Sequence, residues 1–142
     1  MTDGPIVPVR VMIVDDDPLI LTVFTKELDA QPTVSVCATA AGGEQALETL
    51  SWRRHHIDVI LLDISMPGLN GIQTARAIHR KLPDLPIVMF TAFNDEKTLS
   101  EALTEGVKGL LQKTKVLRTS RLHSFALQRT CLPCPHTPLS FL

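Results

Sequence analysis

The chain has 142 residues, 44% apolar and 20% charged, with a formal net charge of -1. That length suffices for one domain with a hydrophobic core, and the composition fits a soluble globular protein. Near-neutral charge names no partner. No apolar run approaches the ~18 residues needed to span a bilayer. The first eight residues, Met-Thr-Asp-Gly-Pro-Ile-Val-Pro, lack the basic flank and apolar stretch of a signal peptide.

The charge is unevenly placed. Residues 1–105 hold all 15 acids and 8 of the 14 Lys and Arg, whereas residues 106–142 hold six bases and no acid. The three cysteines, Cys37, Cys131 and Cys134, are an odd count, with Cys37 in a strand that reads as buried. This argues against a disulfide framework and for a reducing, cytoplasmic setting.

Residues 9–14 (Val-Arg-Val-Met-Ile-Val) read as a first strand. Asp17-Pro18 is then a helix cap followed by proline at the first helical position. Leu19, Ile20, Val23, Phe24 and Leu28 recur at helical spacing, predicting a helix over 18–30. Gln31-Pro32 ends it, and Val34 to Thr39 form a second strand. After Gly42-Gly43 a short helix carries Ala46, Leu47 and Leu50 on one face. Ile57 to Leu62 is a near-continuous apolar run, as a strand covered on both faces requires.

Asn70 caps a third helix, with Gln73 at the capping-box position and Ile72, Ala75, Ile78 and Leu82 on its apolar face. Ile87-Val88-Met89-Phe90 is a fourth strand. Asn94 caps a helix over 95–105, closed by Gly106, and Gly109-Leu110-Leu111-Gln112 is a fifth strand. Alternating strands and helices predict an α/β fold: a doubly wound, five-stranded parallel sheet with helices on both faces. Beyond Lys113 the pattern weakens. Residues 115–129 offer only a weak, atypical helix, and 130–142, with Pro133, Pro135 and Pro138, read as irregular. The expected organisation is an extension over 1–8, a domain over 9–113, an atypical helical segment over 114–129 and a tail over 130–142.

Polar residues close the apolar runs: Asp15-Asp16-Asp17, Asp63, Thr91 and Lys113. In a parallel sheet the carboxyl ends of the strands open onto one edge, where ligands bind. Adjacent carboxylates there repel unless a cation neutralises them. Asp15, Asp16 and Asp63 supply hard oxygens suited to magnesium or manganese. Asp17, next to Pro18, reads instead as a helix cap. The Met66-Pro67-Gly68 turn is expected to leave the Asp63 carboxylate exposed and to bring the Ser65 carbonyl within reach of a cation. Thr91 adds a hydroxyl and Lys113 an ammonium. Taken singly, Thr91 also reads as a strand-end hydroxyl and Lys113 as a surface lysine.

Four pieces in order resemble the receiver domain of bacterial two-component response regulators. They are Val11 to Pro18, Leu62 to Gly71, Pro86 to Ala92 and Gly106 to Lys113. Locally the chain is most similar to receivers that precede a LuxR/NarL-class output domain. The resemblance implies the flavodoxin-like strand order 2-1-3-4-5. It implies that Asp63 accepts a phosphoryl group from a sensor histidine kinase. Asp15, Asp16, Asp63 and the Ser65 backbone carbonyl would hold Mg2+ or Mn2+, and Thr91 and Lys113 would bind phosphoryl oxygens. It further implies a switching surface and a homodimer face near the fourth helix and fifth strand; the residues themselves, with no long apolar run and no DNA-binding motif, lead us to expect no membrane and no direct nucleic-acid partner for this chain. Such a domain is a signalling module, not an enzyme, and assists only its own phosphotransfer and dephosphorylation.

The chain departs from the family in three places. Leu110 stands where the family often has a switching aromatic, Thr114-Lys115 follow the lysine, and residues 115–129 lack the acids of the usual fifth helix. A replaced, frameshifted or truncated C-terminus is the expectation there.

Other features read more plainly. Cys131-Leu132-Pro133-Cys134 with His136 falls short of the four ligands of a structural zinc site. Trp52 to His56 reads as a solvated connection, and the basic tail lacks a DNA-binding motif. A haloacid-dehalogenase-like phosphatase is the rival reading. Asp15-Asp16-Asp17 meets its Asp-x-Asp pattern with Asp15 as nucleophile, although Pro18 follows and a cap domain has no room. A receiver-like interaction module that is never phosphorylated is a third.

Overall fold

β-Branched and aliphatic residues dominate the strand segments, and their side chains alternate between two faces, so both sheet faces are apolar. The structure, a computed structural model, describes residues 4–92 and 96–113. It contains β1 (Val9–Val14), α1 (Pro18–Asp29), β2 (Val34–Ala40), α2 (Gly43–Arg53), β3 (Val59–Asp63), α3 (Gly71–Lys81), β4 (Ile87–Thr91), α4 (Glu96–Thr104) and β5 (Gly109–Gln112), with a 3-10 turn over Arg54–His56. All strand pairs are parallel, in the order β2-β1-β3-β4-β5. This is the expected doubly wound architecture.

The alternation divides the core. Met12, Val14, Ile60, Leu62, Met89 and Leu110 face α2, α3 and α4, meeting Ala46, Leu50, Ala75, Ile78 and Ala102. Val11, Ile13, Leu61, Val88, Phe90 and Leu111 face the other way, with Phe24 and Leu28 of α1. Leu19 does not join that face: it is 66% exposed in the first turn of α1. Its helical spacing matched the pattern, but Phe24 and Leu28 alone are fully buried on this helix.

Local caps act as the residues dictate. The Asp17 carboxylate accepts from the Leu19 N–H at 2.9 Å. Asn70 and Gln73 form a reciprocal capping box, with N···O distances of 2.9 and 3.0 Å. Gly106 adopts φ +81° and its N–H bonds to the Leu103 carbonyl, closing α4. The cap expected from Asn94, the expected segment 114–129 and tail 130–142, and the pair Cys131 and Cys134 lie outside the described residues.

Two findings were not legible in the strand pattern. Cys37 is an extra residue in β2: Val11 pairs with Val36 and Met12 with Ala38. It is half-buried, not enclosed, and its thiol donates to the Val11 carbonyl at 3.4 Å. Arg10 and Asp58 clamp the other end of the central strands. Asp58 Oδ2 accepts from the Arg10 backbone N–H at 2.8 Å and from Nε at 3.1 Å, and Oδ1 from Nη2 at 3.1 Å. Among the described residues no helix is long and apolar enough to cross a membrane.

The loop after β3 turns back on itself. The Gly71 N–H bonds to the Ile64 carbonyl at 2.8 Å, and a Cβ at position 71 would stand 2.6 Å from Ile64 Cα and closer still to the Asp63 carbonyl. Backbone cannot yield as a flexible side chain does. Gly71→Ala is therefore expected to destabilise the protein by about 1–3 kcal/mol, read as a lower urea midpoint.

Candidate phosphoacceptor and divalent-metal site

Four residues of the expected site sit at the carboxyl edge of the sheet because each ends, or directly follows, a strand. Asp15 follows β1, Asp63 ends β3, Thr91 ends β4 and Lys113 follows β5. These four strands are neighbours in the sheet. Residues 98 positions apart in the chain, Asp15 and Lys113, thus come into contact. Asp15 and Asp63 are 0% and 3% exposed, Thr91 is buried, and Asp16 is exposed.

Lys113 extends across the carboxylates. Its Nζ lies 2.8 Å from Asp15 Oδ2 and 3.1 Å from Asp63 Oδ1. The expectation of an exposed Asp63 carboxylate is corrected here. Asp63 is 3% exposed, and its Oδ1 is paired with the Lys113 ammonium. One oxygen from each of Asp15, Asp16 and Asp63 falls within a 4.8 Å cluster. Three carboxylates and one ammonium carry a formal charge of -2 when all are ionised, which a divalent cation would cancel.

The two Asp15 oxygens have different partners. Asp15 Oδ1 accepts from the Asp17 N–H at 2.8 Å. Asp15 Oδ2, fully buried, meets the Lys113 ammonium at 2.8 Å. One ammonium shared among three clustered carboxylates leaves an excess of negative charge that calls for a further cation. Hard oxygen donors from Asp15, Asp16 and Asp63 therefore fit magnesium or manganese. The Ser65 N–H reaches Asp63 Oδ1 at 3.4 Å, so the chain folds back over this carboxylate directly after β3.

Burial pushes the Asp63 carboxyl up to about 6, against the opposing pull of Lys113 and with a further push from Asp15. Lys113 loses some basicity to burial, but hydrogen bonding to Asp15 and the charges of Asp63 and Asp15 outweigh it and raise its pKa.

Phe90 belongs to the same site, and sequence reasoning missed it. It lies in register with Asp63, and the Lys113 ammonium stands 5.0 Å from its ring centroid. In the sequence it is simply the last apolar residue of a strand. Asp17, the third acid of the triplet, is used as the α1 cap.

Fold and site together define a phosphoacceptor-type signalling domain. Residues 11–124 match the family model of the response regulator receiver domain. The chain belongs to that family. The match runs beyond residue 113, where the strand-and-helix pattern fades. Over 114 residues the chain is 36% identical to protein-glutamate methylesterase/protein-glutamine glutaminase 1 of Rhodospirillum rubrum, covering 78% of this chain and 29% of that protein. Over 106 residues it is 33% identical to the nitrate/nitrite response regulator protein NarL of Escherichia coli K12, covering 75% of this chain and 48% of that protein. The chain thus spans less than half the length of these two relatives. Among solved structures it superimposes on a chain of the CheX-CheY-BeF3-Mg2+ complex from Borrelia burgdorferi. The TM-score is 0.73 at 28% identity, covering 84% of this chain and 90% of that one.

Asp63 sets a testable pH dependence. Its folded pKa of about 6 lies above the ordinary 3.8, so the folded state holds the proton more tightly than the unfolded state. Ionising Asp63 therefore weakens the metal-free fold. The penalty is absent below pH ~4, grows as pH rises through 6, and is complete above it, at about 3 kcal/mol at most. Asp63→Asn is expected to stabilise the metal-free protein by about 1–3 kcal/mol at neutral pH, with the advantage shrinking as pH falls through 6. Chemical denaturation at several pH values measures it. Magnesium affinity, by calorimetry, is expected to weaken as pH falls through 6, because the ion and the Asp63 proton compete.

Proposed function

We propose that this chain accepts a phosphoryl group on Asp63 from a sensor histidine kinase. The observation that carries the reading is the buried Asp63 carboxylate at the end of β3, contacted by Lys113 and clustered with Asp15 and Asp16. In its catalytic set Asp63 is the acceptor, and Thr91 and Lys113 hold phosphoryl oxygens. Asp15, Asp16, Asp63 and the Ser65 carbonyl hold Mg2+ or Mn2+. A divalent ion bound there neutralises charge on the transferred phosphoryl oxygens.

The chain's own residues account for the remaining chemistry. Asp63, with a pKa of about 6, is mostly ionised at neutral pH and so available as a nucleophile. Lys113 and the Ser65 N–H both approach Oδ1, so neither of these contacts draws on the lone pairs of Oδ2. A carboxylate oxygen attacks phosphorus as the P–N bond to the kinase histidine breaks. The electron pair of that bond stays on the imidazole nitrogen. Lys113 remains as the fixed positive charge beside the new acyl phosphate, and Thr91 stands at the end of the neighbouring strand. Water attacking the same phosphorus returns the carboxylate.

The added charge gives a physical reason for switching: Lys113 redistributes its contacts and β5 moves with it. A homodimer face on α4 and β5, where Leu103 is exposed, is the proposed readout. A cytoplasmic setting and the absence of direct nucleic-acid contact by this chain belong to the same proposal. The Borrelia burgdorferi structure is a complex with BeF3 and Mg2+, which supports the ligand set. Nothing favours the phosphatase reading, since Asp17 is committed to the α1 cap.

Incubation with Mg2+ and acetyl phosphate, followed by mass spectrometry, tests the assignment. Wild type is expected to gain one phosphoryl group, Asp63→Asn none, and chelation of the metal to prevent the gain. Unmodified wild type, or an equal gain in Asp63→Asn, overturns it.

A further inference from the structure

Lys113 is held from a side that the phosphotransfer chemistry does not use. Its Nζ lies 5.0 Å from the centroid of Phe90, opposite in kind to the carboxylate contacts at 2.8 and 3.1 Å. Phe90 is 2% exposed and pairs in register with Asp63 on β3 and Leu111 on β5. The ring itself is fixed by Phe24 of α1, edge to face, with centroids 5.1 Å apart and planes at 80°. An aromatic face attracts a cation through its quadrupole, and more strongly where water is scarce. The Lys113 side chain is only 13% exposed.

The geometry points to Phe90 as a positioning residue. Its ring, braced by Phe24, keeps the Lys113 ammonium over Asp63 while Asp15 serves the metal. The inference rests on the phosphoacceptor reading and deepens it. Lys113 has two carboxylate anchors in the structure. Once Asp15 is a metal ligand, its hold on the lysine is shared with a divalent charge. The carboxylate side of the ammonium is then weakened at the moment the ammonium is needed beside phosphorus. The ring cannot ligate the metal and cannot accept a phosphoryl group. Its attraction for Lys113 is therefore the same before and after metal binding. A leucine would fill much of the space but supply no quadrupole.

The test replaces Phe90 with a phenylalanine fluorinated at three ring positions, which nearly keeps the shape and removes the negative face. Phe90→Leu serves as a second variant. Metal-free wild type is expected to show Lys113 ε-methylene protons shifted upfield by the ring current, with the shift lost in Phe90→Leu. At saturating Mg2+ the fluorinated protein is expected to take the phosphoryl group from acetyl phosphate about 3- to 10-fold more slowly. Its thermal midpoint and Mg2+ dissociation constant are expected to match wild type. A ring that served packing alone would leave this rate unchanged.

Unshifted Lys113 protons, or equal rates for the fluorinated and natural rings, overturn the inference while wild-type phosphorylation stands. A wild type that takes no phosphoryl group overturns the phosphoacceptor reading and this inference together, which tells the two failures apart.

Discussion

The molecule is organised around one unfavourable concentration of charge. Two nearly inaccessible carboxylates, Asp15 and Asp63, lie at adjacent strand ends with Asp16 beside them. A single ammonium offsets part of that charge. Both anions are removed from water, and at Asp63 the Lys113 pairing recovers only part of what desolvation costs. The raised pKa of Asp63 is the direct sign of this imbalance. A site in that condition favours a divalent cation.

The fold makes that concentration tolerable by rigidity. Buried alternation on both faces locks the strands, so their ends cannot spread to relieve repulsion. Gly71 folds the backbone after Asp63 tightly against its own strand end, with no room for a side chain. The bidentate Arg10–Asp58 pair ties β1 to the residue preceding β3 at the opposite edge. The charged cluster therefore sits at one end of the central layer of parallel strands. Lys113 is the joint: it follows β5 directly and touches both buried carboxylates.

Sequence and structure agree most closely where chemistry is local. Asp17 next to Pro18 reads as a cap, and the cap is there. Asn70 and Gln73 read as a capping box, and both bonds form. Disagreement appears where the answer depends on what lies across the sheet. Leu19 carries the right spacing yet faces solvent, because helical periodicity does not say where along a helix the underlying sheet ends. Cys37 looks like one more strand residue, yet it is an extra residue opposite β1. Phe90 looks like ordinary core until Lys113, from the next strand, is placed above it.

By itself the sequence determined the alternation of strands and helices, the helix caps, and the placing of each polar residue directly after an apolar run. Those are short-range consequences of side-chain period and hydrogen-bonding capacity. It also determined the family, through four motifs in order. Only the tertiary structure decided that Asp63 is covered and not exposed, that Lys113 bridges two carboxylates, and that Phe90 lies beneath it. Those outcomes depend on the order and stagger of strands far apart in the chain. A residue's neighbours across a sheet are set by the packing of the whole, and its place in the polymer carries no record of them.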